Sequence, residues 1–197
     1  MNGKIIKDAL ILFLITVIAG LGLGAVYGIT KVPIEKANYN IQQNAYRTVF
    51  PDAASFEDMD GFDSAKATEA AAAAGYADDT IENCVVAVDA SGAELGYVIS
   101  VTDPNSYGGD VTLSIGVTDD GTLNGYSITT INDTAGLGMK AKEDSFSSQF
   151  AGKQVESFEV TKTGATSDNQ IDAISGATIT SSAVINAGLA YYRTLAQ

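Results

Sequence analysis

From Ala9 to Thr30 the chain reads ALILFLITVIAGLGLGAVYGIT, without one charged side chain. At about 1.5 Å of rise per residue, about 20 such residues cross the hydrocarbon core of a bilayer, so this run predicts a transmembrane helix over 9–30 behind a short tail, 1–8. A cleaved signal peptide has a shorter apolar core, roughly 7–15 residues, and ends on a small-residue cleavage site. Here the run is longer and closes on AVYGIT, and a lipoprotein anchor would need a cysteine where the sole one, Cys84, is far downstream. The reading is an uncleaved anchor. Lys4, Lys7 and the α-amine face Lys31 and Lys36 across it, which leans toward a cytoplasmic N-terminus and an extracytoplasmic main domain in the cell membrane. Gly20, Gly24 and Gly28 stand four apart on one helical face, where a neighbouring helix could approach closely, although glycine is also simply common in membrane helices.

The remainder is strongly acidic. Beyond residue 36, seven basic side chains stand against 22 acidic ones. A surface of that sign repels nucleic-acid phosphates, and nucleic-acid binding is excluded. The chain has no histidine and one cysteine, which removes the usual ligands of zinc, haem and iron–sulfur clusters and the usual acid–base catalyst. No metal site and no catalytic residue is therefore expected, and any redox chemistry needs a bound organic cofactor. Cys84 reads as a buried hydrophobe.

Residues 31–80 read as a helical and acidic connecting region. Pro33 suits the first turn of a helix carrying Ile34, Ala37, Ile41, Ala45 and Val49 at helical spacing, which Pro51 ends. DMDGFD, Asp58–Asp63, lacks the alternation of a calcium loop and reads as a solvated acidic loop, followed by an alanine-rich helix that stops at Gly75. From Cys84 the period becomes two. CVVAVDASGAELGYVISVT and LSIGVTDDGTLNGYSITTI each read as strand, glycine turn, strand, and Val88, Gly92, Gly96, Tyr97 and Ile99 match Val117, Gly121, Gly125, Tyr126 and Ile128. Two such hairpins make most of one antiparallel sheet, whether by repetition or because hairpins reuse the same chemistry. A short helix at SFSSQFAG, a strand at VESFEVTK and a terminal helix in which Ala183, Ala187, Ala190 and Tyr191 pack complete an α+β domain over 81–197.

Gly-Ala-Thr occurs twice. The first copy, ending at Thr166, runs into SDNQ, a loop composition. The second, Ser175-Gly176-Ala177-Thr178, runs into an apolar helix. A helix start leaves backbone N–H groups unpaired and favours an anion, so a phosphate could rest there beside the Thr178 hydroxyl, with Thr180, Ser181 and Ser182 as caps or further donors. The same residues serve equally as an N-cap with no ligand.

IDAISGATITSSAV resembles the flavinylation signature of FMN-binding domain proteins, the G subunit of the Rnf electron-transport complex and its relative, the C subunit of sodium-pumping NADH:quinone oxidoreductase. The resemblance extends over nearly the whole chain, through the anchor, YGG at Tyr107-Gly108-Gly109 and the loop ending Gly136-Leu137-Gly138. It implies an antiparallel-sheet FMN-binding domain with flanking helices behind a transmembrane helix. It further implies FMN joined covalently to Thr178 through a phosphoester, with Ser175, Gly176 and Ala177 around the phosphate and Thr134, Leu137 and neighbouring loop residues against the flavin ring. The family loop usually reads Glu-Thr-Pro-Gly-Leu-Gly, whereas this chain has Asp133-Thr134-Ala135-Gly136-Leu137-Gly138, which relaxes the loop by losing its proline. The short chain leans toward the Rnf member of this pair. The implied partners are the other membrane subunits of a complex coupling ferredoxin and NAD oxidoreduction to ion movement, and a flavin transferase that uses FAD. Such a protein carries electrons and is not an enzyme alone. The competing reading is a membrane-anchored binding module without cofactor, in which SGAT is only a cap.

Overall fold

The structure is a computed structural model that describes residues 3–182 and 185–195. It divides into two units, 1–41 and 42–197. The first consists of the leading part of helix α1 (Gly3–Val49), which is long and apolar enough to cross a membrane, and its glycines at 20, 24 and 28 have open space around them. The sequence predicts a helix beginning at Pro33, whereas α1 runs through it. Proline there deprives only the carbonyl four residues back of its donor.

In the second unit, the closing turn of α1 buries Ala45, Tyr46 and Val49, whereas Ile34 and Ile41, earlier in the same periodic pattern, are exposed. Strand β1 (Ser55–Asp58) follows within the region read as a helical and acidic connection, ahead of the expected acidic loop, and pairs antiparallel with β2 (Thr80–Val88). Between them lies α2 (Ser64–Ala73), capped by the Asp63 carboxylate, which accepts from the N–H groups of Ala65 (3.0 Å) and Lys66 (3.2 Å). Hence DMDGFD is a turn and helix cap. The two expected hairpins are β2 with β3 (Glu94–Ser106), and β4 (Gly109–Thr118) with β5 (Leu123–Thr130). All five strands form one antiparallel sheet in the order β1-β2-β3-β4-β5.

Period-two alternation sends side chains to opposite faces. Cys84, Ile99, Val101 and Ile115 join a large core with Ala67 and Ala71 of α2 and Leu189 and Tyr191 of α5 (Ile185–Leu195). Val85, Ala87 and Val98 face the other way, onto Tyr46, Val49 and Phe50. Gly116 makes room there, since a Cβ would lie 2.7 Å from that of Val49. Cys84 is fully buried and its thiol is pushed up to about 12 by burial, as a structural cysteine should be. In the terminal helix Ala190 and Tyr191 are buried, while Ala183 and the side chain of Ala187 lie outside the described residues.

After β5 the chain forms a 3-10 turn (Gly138–Lys142), the short α3 (Asp144–Ser147), and β6 (Glu159–Thr161), which pairs in parallel with β7 (Gln170–Asp172). The expected strand at VESFEVTK is thus shorter, and its partner runs directly into the SGAT turn and α4 (Thr178–Ser182). The buried Tyr126 hydroxyl donates to the Ala141 carbonyl at 2.6 Å, and its ring meets Phe150 edge-on, so β5 fixes the 3-10 turn against the core.

Candidate functional site

Three loops meet at one place on the compact unit: the β3–β4 turn with Tyr107, the segment after β5 from Asp133 to Gly138, and the turn before α4. Each has its own local cause. Gly109 has φ +99°, which closes the first turn. In the second, the Leu137 N–H donates to the Thr134 carbonyl (3.1 Å) and Gly136, third in that turn, has φ +77°. In the third, Gly176 has φ +80°, and the Ala177 N–H donates to the Ile174 carbonyl (2.9 Å). Buried Ser181 reinforces this last turn, because its Oγ accepts from the Ile174 N–H (2.9 Å) and donates to the Ala177 carbonyl (2.8 Å).

The turn Thr134–Leu137 needs glycine in its third position and tolerates proline in its second. Ala135 occupies the second. Ala135→Pro is expected to raise the stability of the full chain by about 0.5–1 kcal/mol, because it restricts the unfolded chain while fitting the folded turn. Thermal unfolding in detergent checks this, and a lowered midpoint would contradict the turn geometry.

One carboxylate joins the three loops. Asp133, 8% exposed, accepts at Oδ1 from the Ser106 hydroxyl (2.5 Å) and the Gly108 N–H (2.5 Å), and at Oδ2 from the Thr180 hydroxyl of α4. Burial alone would raise its pKa, but the three donors together outweigh burial and hold it below the usual carboxylate value. The glycines beside it follow from the same crowding. A Cβ on Gly108 would lie 2.5 Å from the Asn132 carbonyl oxygen and 2.7 Å from Asp133 Oδ1, and one on Gly138 would lie 2.6 Å from Asp133 Cγ. These two glycines are required by space.

The loops enclose a cavity of about 660 Å³, within the range of about 300–1,000 Å³ common for small-molecule sites. Of the residues singled out in the sequence, Tyr107, Thr134, Leu137, Gly138, Gly176, Ala177 and Thr178 line it. Gly108, Gly109, Gly136 and Ser175 do not; the first three shape the loops, and Ser175 is exposed on the turn. Thr180, read from the sequence as a cap or further donor, lines it as well, and two lining residues escape the sequence reading of the site: Asp133 and Ile179. The signal available for Asp133 is its place at the head of the glycine loop. For Ile179 it is an apolar residue flanked by threonines at a helix start. Thr178 is half-buried and is the first residue of α4, whereas Thr166 lies outside the cavity, exposed, with its N–H (3.1 Å) and hydroxyl (3.0 Å) both donating to the Gln170 side chain.

The cavity rim is unlike the rest of the surface. Among the described residues of the compact unit, the large hydrophobic side chains that are exposed are Tyr107 (76%), Leu137 (41%) and Ile179 (58%), and all three line this cavity. No lysine or arginine does. The arrangement offers apolar surface for a flat ring, a hydroxyl at Thr178, and small residues at 176 and 177 that leave the backbone approachable. These features fit a flavin whose ring is held by apolar contact.

Comparison with known proteins agrees with that chemistry. Residues 106–190, which include every loop of the site, match the FMN-binding domain family. Over 98% of its length the chain is 33% identical to the G subunit of the Na(+)-translocating ferredoxin:NAD(+) oxidoreductase complex of Acetobacterium woodii, of which it covers 94%. It is 30% identical to the G subunit of the ion-translocating oxidoreductase complex of Methanosarcina acetivorans, covering 93% of this chain and 90% of that one. Among solved structures, the C subunit of the Na(+)-translocating NADH-quinone reductase of Parabacteroides distasonis superposes with a TM-score of 0.51 at 23% identity, over 74% of this chain and 78% of that one, which shows a shared fold.

Proposed function

Because the chain belongs to the family of G subunits of ion-translocating oxidoreductase complexes, we propose that it is a membrane-anchored electron carrier with FMN esterified to Thr178. In this reading the compact unit is extracytoplasmic and works within an Rnf-type complex that moves electrons between ferredoxin and NAD. The observation that carries the proposal is the convergence of the three large apolar side chains exposed among the described residues of the compact unit on the cavity that contains Thr178.

Tyr107, Leu137 and Ile179 hold the ring by apolar contact, and Thr134 closes one wall. Gly176 and Ala177 present no bulk where the phosphate lies, and the first-turn N–H groups of α4 lack helical acceptors. When bound, the flavin supplies the redox chemistry that the chain's own side chains lack. In maturation, the Thr178 hydroxyl oxygen bonds to the flavin-side phosphorus of FAD, the pyrophosphate bond breaks, AMP leaves with the bonding pair, and the hydroxyl proton passes to a base or solvent. The ester then keeps the cofactor from being lost outside the cytoplasm.

The test is the intact mass of the full chain made with a FAD-dependent flavin transferase. An FMN adduct is expected in the native chain and in Thr166→Val, and none in Thr178→Val. An adduct that persists in Thr178→Val sinks the site assignment. Absence of covalent flavin from the native chain under any such condition favours a binding module in which SGAT only starts a helix.

A further inference from the structure

We propose that Asp133 is a specificity-determining residue that turns the pocket against free FMN while accepting the flavin diester held at Thr178. The inference rests on the flavin reading above and concerns what the pocket refuses. Free FMN is a phosphate monoester, whose second ionisation near pH 6 leaves it close to doubly charged at neutral pH. The diester formed on Thr178 carries one negative charge.

The pocket treats those charges unequally. Among the described residues it contains a buried carboxylate and no lysine or arginine. The donors nearest the carboxylate are taken by it, because the Thr180 hydroxyl, the Gly108 N–H and the Ser106 hydroxyl all donate to Asp133. Asp133 and Thr178 line the same cavity, so the carboxylate and the phosphate share one partly enclosed space, where like charges repel more than in water. Recognition of the ring by Tyr107, Leu137 and Ile179 is indifferent to phosphate charge. A neutral flavin should therefore enter more readily than FMN.

The experiment uses the full chain with Thr178→Val, which cannot be loaded, titrated with riboflavin and with FMN while flavin fluorescence is followed. Riboflavin is expected to bind about tenfold more tightly than FMN at low salt. Adding Asp133→Asn should narrow that gap at least about fivefold, through tighter FMN binding, whereas Asp133→Glu should preserve it. FMN binding as tightly as riboflavin with Asp133 present, or a gap unmoved by Asp133→Asn, overturns the proposal. Should Asp133→Asn not fold, the Thr178→Val chain between about 0.05 and 0.5 M salt decides, since screening must narrow an electrostatic gap and a salt-independent gap overturns it. If neither flavin binds although the native chain carries covalent FMN by mass, this inference alone fails. If the native chain carries none, the flavin reading fails with it.

Discussion

Gly138→Ala should lower the unfolding midpoint of the full chain by about 5–10 °C, corresponding to about 2–4 kcal/mol in a unit of this size, and should sharply reduce covalent flavin on Thr178. The added Cβ would sit 2.6 Å from Cγ and 2.7 Å from Cβ of Asp133. Asp133 has nowhere to yield without releasing Ser106 and Gly108 at the β3–β4 turn or Thr180 on α4. Releasing a buried carboxylate from its donors leaves an uncompensated charge, which costs far more than one ordinary hydrogen bond. The comparison that isolates this cause is Gly136→Ala. A Cβ there meets nothing, and the penalty is only that of φ +77°, about 1–2 kcal/mol. Thermal unfolding and intact mass on both variants check the prediction. Equal effects at 136 and 138 would remove Asp133 from its place at the junction.

The second large effect belongs to the sheet. Gly96→Ala is expected to cost about 4 kcal/mol or more, enough to abolish folding at growth temperature in a marginally stable domain. Gly96 has φ +142°, and a Cβ there would lie 2.6 Å from Thr118 Cα and collide with the Val117 carbonyl oxygen across the β3–β4 ladder. Neither obstacle is a flexible side chain. Its counterpart Gly125 has φ +130°, but a Cβ would meet only that of Ala151, at 3.9 Å. Gly125→Ala should therefore cost the backbone strain alone, about 1–2 kcal/mol. Soluble yield and denaturant unfolding of the two variants measure the difference, and a Gly96→Ala chain as stable as Gly125→Ala would contradict the register of β3 on β4. The two positions correspond in sequence, and their unequal roles arise because Gly96 lies on an inner strand, between β2 and β4, where its Cβ would meet the β4 backbone, whereas Gly125 lies on the edge strand β5 opposite Gly116, where a Cβ would meet only Ala151.

Local physics explains what could be read in advance. An uncharged run needs no tertiary context to favour a bilayer, and period-two alternation with Gly92 and Gly121, each at φ +86°, dictates two hairpins from the chain alone. Ser175–Thr178 could be singled out because a turn of small and hydroxyl residues precedes a helix. What escaped reading depended on distant partners. β1 is a strand because Ser55 to Asp58 pair with Val88 to Val85 and Phe56 packs against Tyr46, whereas its own composition reads as loop. β7 exists because Gln170–Asp172 finds Glu159–Thr161 in parallel. The helix expected to start at Pro33 is instead continuous with the one before it, since an exposed helix can forgo one hydrogen bond.

By itself the sequence determined the anchor, the hairpins, the absence of histidine chemistry, and which Gly-Ala-Thr copy opens a helix, all readable without tertiary contacts. Only the tertiary structure decided that Tyr107, Leu137 and Ile179 form one apolar rim and that Asp133 ties their loops together. Those residues come from segments far apart in sequence, and a buried carboxylate becomes a junction only when folding brings three donors to it and leaves no room beside it for anything larger than glycine.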